Sequence, residues 1–138
     1  MIKKIFIDSD VILDLLAQRM PFFDAAAKIC TLAYKKKIEM YTTAVVFANV
    51  FYILRKINGS EAAKRQLKNL RLLVRILPVS ENSIDITLNS KFSDFEDGLQ
   101  YFTAKENNIG ALVTRNTRDY KERDIVIQTP EEYVKMNL

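Results

Sequence analysis

Six aspartates stand out by type and spacing: Asp8, Asp10 and Asp14 in FIDSDVILD, Asp94 and Asp97 in SDFEDG, and Asp119 in TRDY. Carboxylates are among the groups least readily buried without a partner, yet Asp8 closes a run of apolar residues. Several carboxylates converging on one cleft repel each other unless something positive intervenes. A hard cation such as Mg²⁺ or Mn²⁺, which prefers oxygen ligands and retained waters, resolves that repulsion. It can also activate water and neutralise charge on a phosphodiester. Arg115, Arg118 and Lys121 lie close in sequence to Asp119 and can hold flanking phosphates. There is no histidine and a single cysteine, Cys30. Ser-His-Asp and Cys-His catalysis, His-based zinc sites and an intrachain disulfide are thereby excluded. Any acid–base or metal chemistry falls to carboxylates, lysine, tyrosine or water.

Spacing separates the acids. Asp8 and Asp10 share a face only if the chain stays extended through Ser9. Asp10 and Asp14, four apart, stack on one helix face, where Asp14 reads as a surface or supporting residue. Asp94 and Asp97 also share a face. Glu96 points elsewhere and reads as the capping-box partner of Ser93. Favourable electrostatics at a helix N-terminus explain Asp10, and partly Asp94, without any chemistry. They do not explain a carboxylate at the end of a buried strand, so Asp8 is the strongest candidate.

The elements that position these residues follow from periodicity and punctuation. Ile2 to Ile7, Ile38 to Thr42, Val74 to Val79, Ala111 to Thr114 and Ile125 to Gln128 read as strands. Between them lie helices over Val11 to Gln18, Asp24 to Lys36, Ala44 to Ile57, Ser60 to Leu72, Ser80 to Lys91 and Ser93 to Asn107. Ser9 or Asp10 is a natural cap for the first, and Asn58-Gly59 ends the third. Thr129-Pro130-Glu131-Glu132 opens a short last helix with proline at its first position. Strands alternating with helices imply a mostly parallel sheet of about five strands, covered on both faces. Such sheets gather functional groups beyond the carboxyl ends of their strands, where Asp8, Asn116 and Asp119 fall.

The 138 residues predict one domain, 1–138. A hydrophobic content of 49% with 28% charged residues suits a globular chain. No apolar run reaches membrane-spanning length. Asp8 interrupts what would be the apolar core of a leader after Lys3 and Lys4, so a cytoplasmic setting is expected. Twenty-one Lys and Arg against 17 Asp and Glu leave a net charge of +4. That excess suits a polyanion. Lys35–Lys37 is explained by a helix C-terminus, which leaves Arg115 and Arg118 as the better RNA contacts. Phe47, Phe51, Tyr52, Tyr101 and Phe102 follow helical spacing, as core or dimer-interface residues.

The stretches IFIDSDVILDLL, TTAVVFANVFYILRK, DFEDGLQYFTAKENN, ALVTRNTRDY and IVIQTPEEYV, in this order along nearly the whole chain, resemble a PIN-domain protein of the VapC toxin kind. The resemblance implies a three-layer α/β/α fold and endonucleolytic cleavage of RNA by water activated on Mg²⁺ or Mn²⁺. It also implies a homodimer and a small antitoxin partner. Asp8, Asp97 and Asp119 match the family's acidic ligands, with Asp94 beside them as a fourth catalytic acid. Thr114 and Asn116 match polar residues that position ligands or water. Asp10 falls where the family more often has asparagine. At Asn49 the family typically has a glutamate, and here the charge is missing. Asn49 then either accepts from a metal-bound water or is a buried structural amide. Its neutrality keeps open an alternative, a PIN fold that binds RNA or protein without cutting. A haloacid-dehalogenase-type phosphatase would need glycine and threonine where Val11 and Ile12 stand. A response-regulator receiver would need an aspartate near Leu77–Ser80.

Overall fold

In a computed structural model, which describes residues 2–137, five strands form one parallel sheet in the order β3-β2-β1-β4-β5. The strands are β1 (Lys3–Ile7), β2 (Ile38–Thr43), β3 (Val74–Leu77), β4 (Ala111–Val113) and β5 (Val126–Gln128). The helices are α1 (Ser9–Leu16), α2 (Phe23–Tyr34), α3 (Ala44–Asn58), α4 (Ser60–Arg71), α5 (Glu81–Leu88), α6 (Phe95–Glu106) and α7 (Pro130–Asn137). The expected α/β/α fold and its central parallel sheet are both present.

Topology fixes the layers. The chain steps outward from β1 to β2 to β3, then returns across the sheet to β4 on the far side of β1. Right-handed crossovers put α1–α4 on one face and α5 and α6 on the other. Packing agrees: α1 rests on α2 and α3, α3 on α4, and α5 on α6, while α7 returns to α2. Ile5, Phe6 and Ile7 are all buried because β1 is covered on both faces. The strand order reverses between β1 and β4, so a crevice opens at their carboxyl ends.

Several boundaries differ from expectation for local reasons. The first helix begins at Ser9, capped by Asp8 and not by Ser9 or Asp10. The third strand leaves the ladder after Leu77, where Pro78 has no N–H to give. The Ser93–Glu96 capping box does not form. Asp94 caps α6 instead, accepting from the Asp97 N–H at 3.0 Å. The box does form at Thr129 and Glu132, which exchange bonds of 2.8 and 3.1 Å. Tyr101 and Phe102 are core, packed with Tyr120 around the Phe92 ring, whereas Tyr52 is exposed.

Gly98 marks the contact between α5 and α6. A Cβ there would lie 2.8 Å from Thr87 Cγ2 and 3.0 Å from Phe92 Cβ. Gly98→Ala is therefore expected to destabilise by about 1–3 kcal/mol, the range for overpacking, although alanine is the better helix former. Urea unfolding measures this; an equal or higher midpoint would contradict the close approach.

Candidate active site

The crevice is built by three segments meeting at the reversal point. β1 delivers Asp8, whose N–H donates to the Val113 carbonyl at 3.0 Å and ties the start of α1 to β4. β4 delivers Thr114 through Asn116, and a 3₁₀ turn over Thr117–Asp119 follows. The N-terminus of α6 brings Asp94 and Asp97.

Asp8 is 4% exposed and fully held. Its Oδ1 accepts from the Ser9 N–H at 2.6 Å, and its Oδ2 from Thr114 Oγ1 at 2.8 Å and Tyr120 Oη at 3.1 Å. Charge-assisted bonds from three sides fix its plane without neutralising it. Tyr120 was not singled out from sequence. Its signal was an aromatic directly after a polar turn, with no place for the ring but inward. Burial, and then the Asp8 charge, push its phenol well above the ordinary tyrosine range, so it stays a donor.

Asp10 Oδ2 accepts from the Arg115 N–H at 3.0 Å and from Asn116 Nδ2 at 3.2 Å. Its Oδ1 is buried without a partner. Burial, with the Asp8 charge behind it, pushes the Asp10 carboxyl up to about 7. The Asp97 carboxyl also rises to about 7, first through burial and then through repulsion by Asp8, Asp94, Asp119 and Asp10. Asp8, Asp94, Asp119 and Asp10 thus lie near enough to Asp97 for their charges to act on it. Asp119 stands on the exposed 3₁₀ turn that follows β4.

Two expected placements differ. Asp14 is not on the helix surface; it is 0% exposed and clamped by Arg115, Nε to Oδ2 at 2.7 Å and Nη2 to Oδ1 at 3.1 Å. The same guanidinium lies 4.0 Å from the Phe22 ring centroid. Arg115 is thus committed to Asp14 rather than presented to a polyanion, while Arg118 is exposed. Asn49 is neither fully buried nor bound to backbone. Its Nδ2 donates to Glu96 Oε2 at 2.7 Å.

Among the described residues, no three His, Cys, Asp or Glu side chains stand close enough to chelate one ion as placed. The acids border a cleft rather than a point. The donor set nevertheless suits a hard divalent cation: all oxygen, mutually repelling, with the buried Asp10 Oδ1 unsatisfied. A bound cation would relieve the repulsion that, after burial, raises the Asp97 carboxyl.

A family model described as a PIN domain matches residues 4–118. The ribonuclease VapC1 of Aquifex aeolicus is 27% identical over 136 residues, 95% of this chain and 93% of that protein. Two solved structures share the fold. VapBC2 of Rickettsia felis, bound to a DNA fragment from their promoter, aligns with a TM-score of 0.69 at 16% identity, over 91% of this chain and 98% of that one. VapC20 of Mycobacterium tuberculosis, a sarcin–ricin-loop-cleaving toxin, gives 0.62 at 18% identity, over 78% and 86%.

Proposed function

Since the chain belongs to the PIN-domain family, we propose that it is a Mg²⁺- or Mn²⁺-dependent endoribonuclease and the toxin of a toxin–antitoxin pair. The observation that carries this reading is the acidic cleft at the sheet's reversal point, where burial and then repulsion by four carboxylates raise the Asp97 carboxyl to about 7. The name of the Aquifex relative supports the choice of RNA.

Asp8, Asp97 and Asp119 would hold the cation, with Asp94 beside them. When bound, the ion would supply an activated water and neutralise charge on the scissile phosphodiester. The chain's own residues do the positioning. Thr114 and Tyr120 fix Asp8, Asn116 and the Arg115 N–H fix Asp10, and the exposed Arg118 steadies a flanking phosphate. Exposed Tyr52, Ile53 and Ile57 on α3 give a second copy an apolar face. A small antitoxin would cover the cleft, and the setting is cytoplasmic. Among the described residues no helix is long and apolar enough to cross a membrane.

The test incubates labelled RNA with the protein and Mn²⁺, Mg²⁺ or EDTA, beside Asp8→Asn. Cleavage is expected with either metal, none in EDTA, and a loss of about 100-fold or more in the variant, because several kcal/mol of transition-state stabilisation depend on the ion. Cutting that persists in EDTA or in Asp8→Asn overturns the assignment. RNA retained but never cut establishes the binding-module reading, which the neutral Asn49 favours.

A further inference from the structure

The cleft is poorly supplied with charge to hold RNA. Its carboxylates repel phosphates, Arg115 is taken by Asp14, and Arg118 remains. The protein's cations stand elsewhere. From Tyr34 to Arg75 the chain has ten Lys or Arg against two acids, Glu39 and Glu61, whereas the rest has eleven against fifteen. That segment forms the end of α2, then β2, α3, α4 and β3, and so one flank of the sheet. We propose that this basic flank is a second RNA-holding surface, which grips a single strand away from the cut through phosphate contacts on α4 and a base stacked on Tyr34. This rests on RNA being the ligand, as in the nuclease reading above.

The charge is densest on α4. Ala63, Leu67 and Leu70 are buried, which turns Lys64, Arg65, Lys68 and Arg71 outward. A helix C-terminus favours Lys68 and Arg71, but it does not account for Lys64 or Arg65. Lys64 and Lys68, four apart, repel each other. Among the described residues no carboxylate forms an ion pair with Lys64, Arg65 or Lys68. A polyanion relieves that repulsion. Arg65, Asn69 and Leu72 share one face of the helix at i, i+4 and i+7. Asn69 and Leu72 line a groove of about 600 Å³ together with Tyr34, Lys36 and Arg75. Tyr34 is 75% exposed, an aromatic ring that core packing does not use. Cations beside an open ring suit a single strand, with charge for its backbone and a platform for an unstacked base. An acidic peptide would use the cations and leave the ring without a role. The groove lies at the amino ends of β2 and β3, and the cleft at the carboxyl ends of β1 and β4. A six-residue strand such as β2 sets the two about 20 Å apart.

The experiment measures binding of a labelled, unstructured RNA of about 30 nucleotides to the full-length protein by fluorescence anisotropy, in EDTA and at several salt concentrations. It compares wild type, the α4 variant Lys64→Gln/Arg65→Gln/Lys68→Gln, and Tyr34→Leu. A control of equal charge change, Lys28→Gln/Lys91→Gln/Lys135→Gln, removes exposed cations outside the basic flank. The α4 variant is expected to bind about 30-fold more weakly, with a log–log salt slope smaller by about two, from three lost phosphate contacts on a single strand. Tyr34→Leu should weaken binding about tenfold and leave the slope unchanged. The control should shift Kd less than about threefold, because distant charges are screened. Relief of repulsion on α4 keeps its variant folded, which an unchanged or higher Tm checks. Wild-type affinity in the α4 variant, or equal weakening in the control, overturns this proposal while the cleavage assay above still decides the nuclease reading. Displacement of the RNA by polyglutamate, with wild-type RNA affinity in Tyr34→Leu, assigns the surface to an acidic peptide and also overturns it. A wild type that neither binds this RNA nor cuts it with Mn²⁺ overturns both.

Discussion

Asparagine in place of Asp97 is expected to lower RNA cleavage about 100-fold or more while making the ion-free protein harder to unfold at pH 8. The first effect follows from loss of a cation-holding charge. The second follows from why the Asp97 carboxyl lies near 7, namely burial and four facing acids. In the unfolded chain an aspartate titrates at about 3.9. Between roughly pH 4 and 7 the native state holds a proton that the unfolded state has released. Stability of the ion-free protein therefore falls as pH rises through that window and levels off above it. Asp10 acts in the same direction. Asp97→Asn removes its share, about 1–2 kcal/mol after discounting for a half-buried site. Divalent cation offsets the loss in wild type, adding about 2.7 kcal/mol at a hundredfold excess over Kd, and more at pH 8 than at pH 5. Urea unfolding at both pH values, with EDTA or Mn²⁺, measures all of this. A wild-type stability that climbs between pH 4 and 7 without metal would show that these acids do not repel one another.

Arg115→Ala is expected to cost about 3–5 kcal/mol of folding stability, because it leaves the fully buried Asp14 charge without its partner. For a chain of this size that corresponds to a fall in Tm on the order of 10 °C. The bidentate geometry and the Phe22 stack make lysine a poor substitute. Asp14→Leu combined with Arg115→Ala should recover much of the loss, since an apolar pair leaves no buried charge. Thermal unfolding of the three proteins decides the matter. A shift below about 2 °C in Arg115→Ala would mean that water reaches Asp14.

Much of what neighbours in sequence determine is legible in the sequence, although not every helix cap is. The order of strands and helices, Asp8 at the end of a buried strand and the Thr129 capping box all carry local signals. Asp14 reads from sequence as a surface or supporting residue; its burial is not legible there because its partner lies 101 positions away, and nothing in a helical repeat announces that. Glu96 looked like the partner of Ser93, three residues back, but a long-range amide outcompeted the local backbone N–H. Tyr120 carries no such signal, because its hydroxyl matters only through contact with Asp8, 112 positions away. These three are pairings between distant segments, which periodicity and spacing do not encode, whereas the cap of α1 and the end of β3 differ from expectation for local reasons.

Asp8 and the hydroxyl of Thr114 that holds it are 106 positions apart. At a translation rate of about 5–20 residues per second, Asp8 waits roughly 5–20 s in a nascent chain before Thr114 is even made. β1 can meet β2 long before β4 exists, but the cleft has no second wall until β4 docks. Closing a loop of that span is also among the slower folding events. The cleft therefore cannot assemble until most of the distance from β1 to β4 has been translated. The parallel crossover that builds the cleft also acts as a delay.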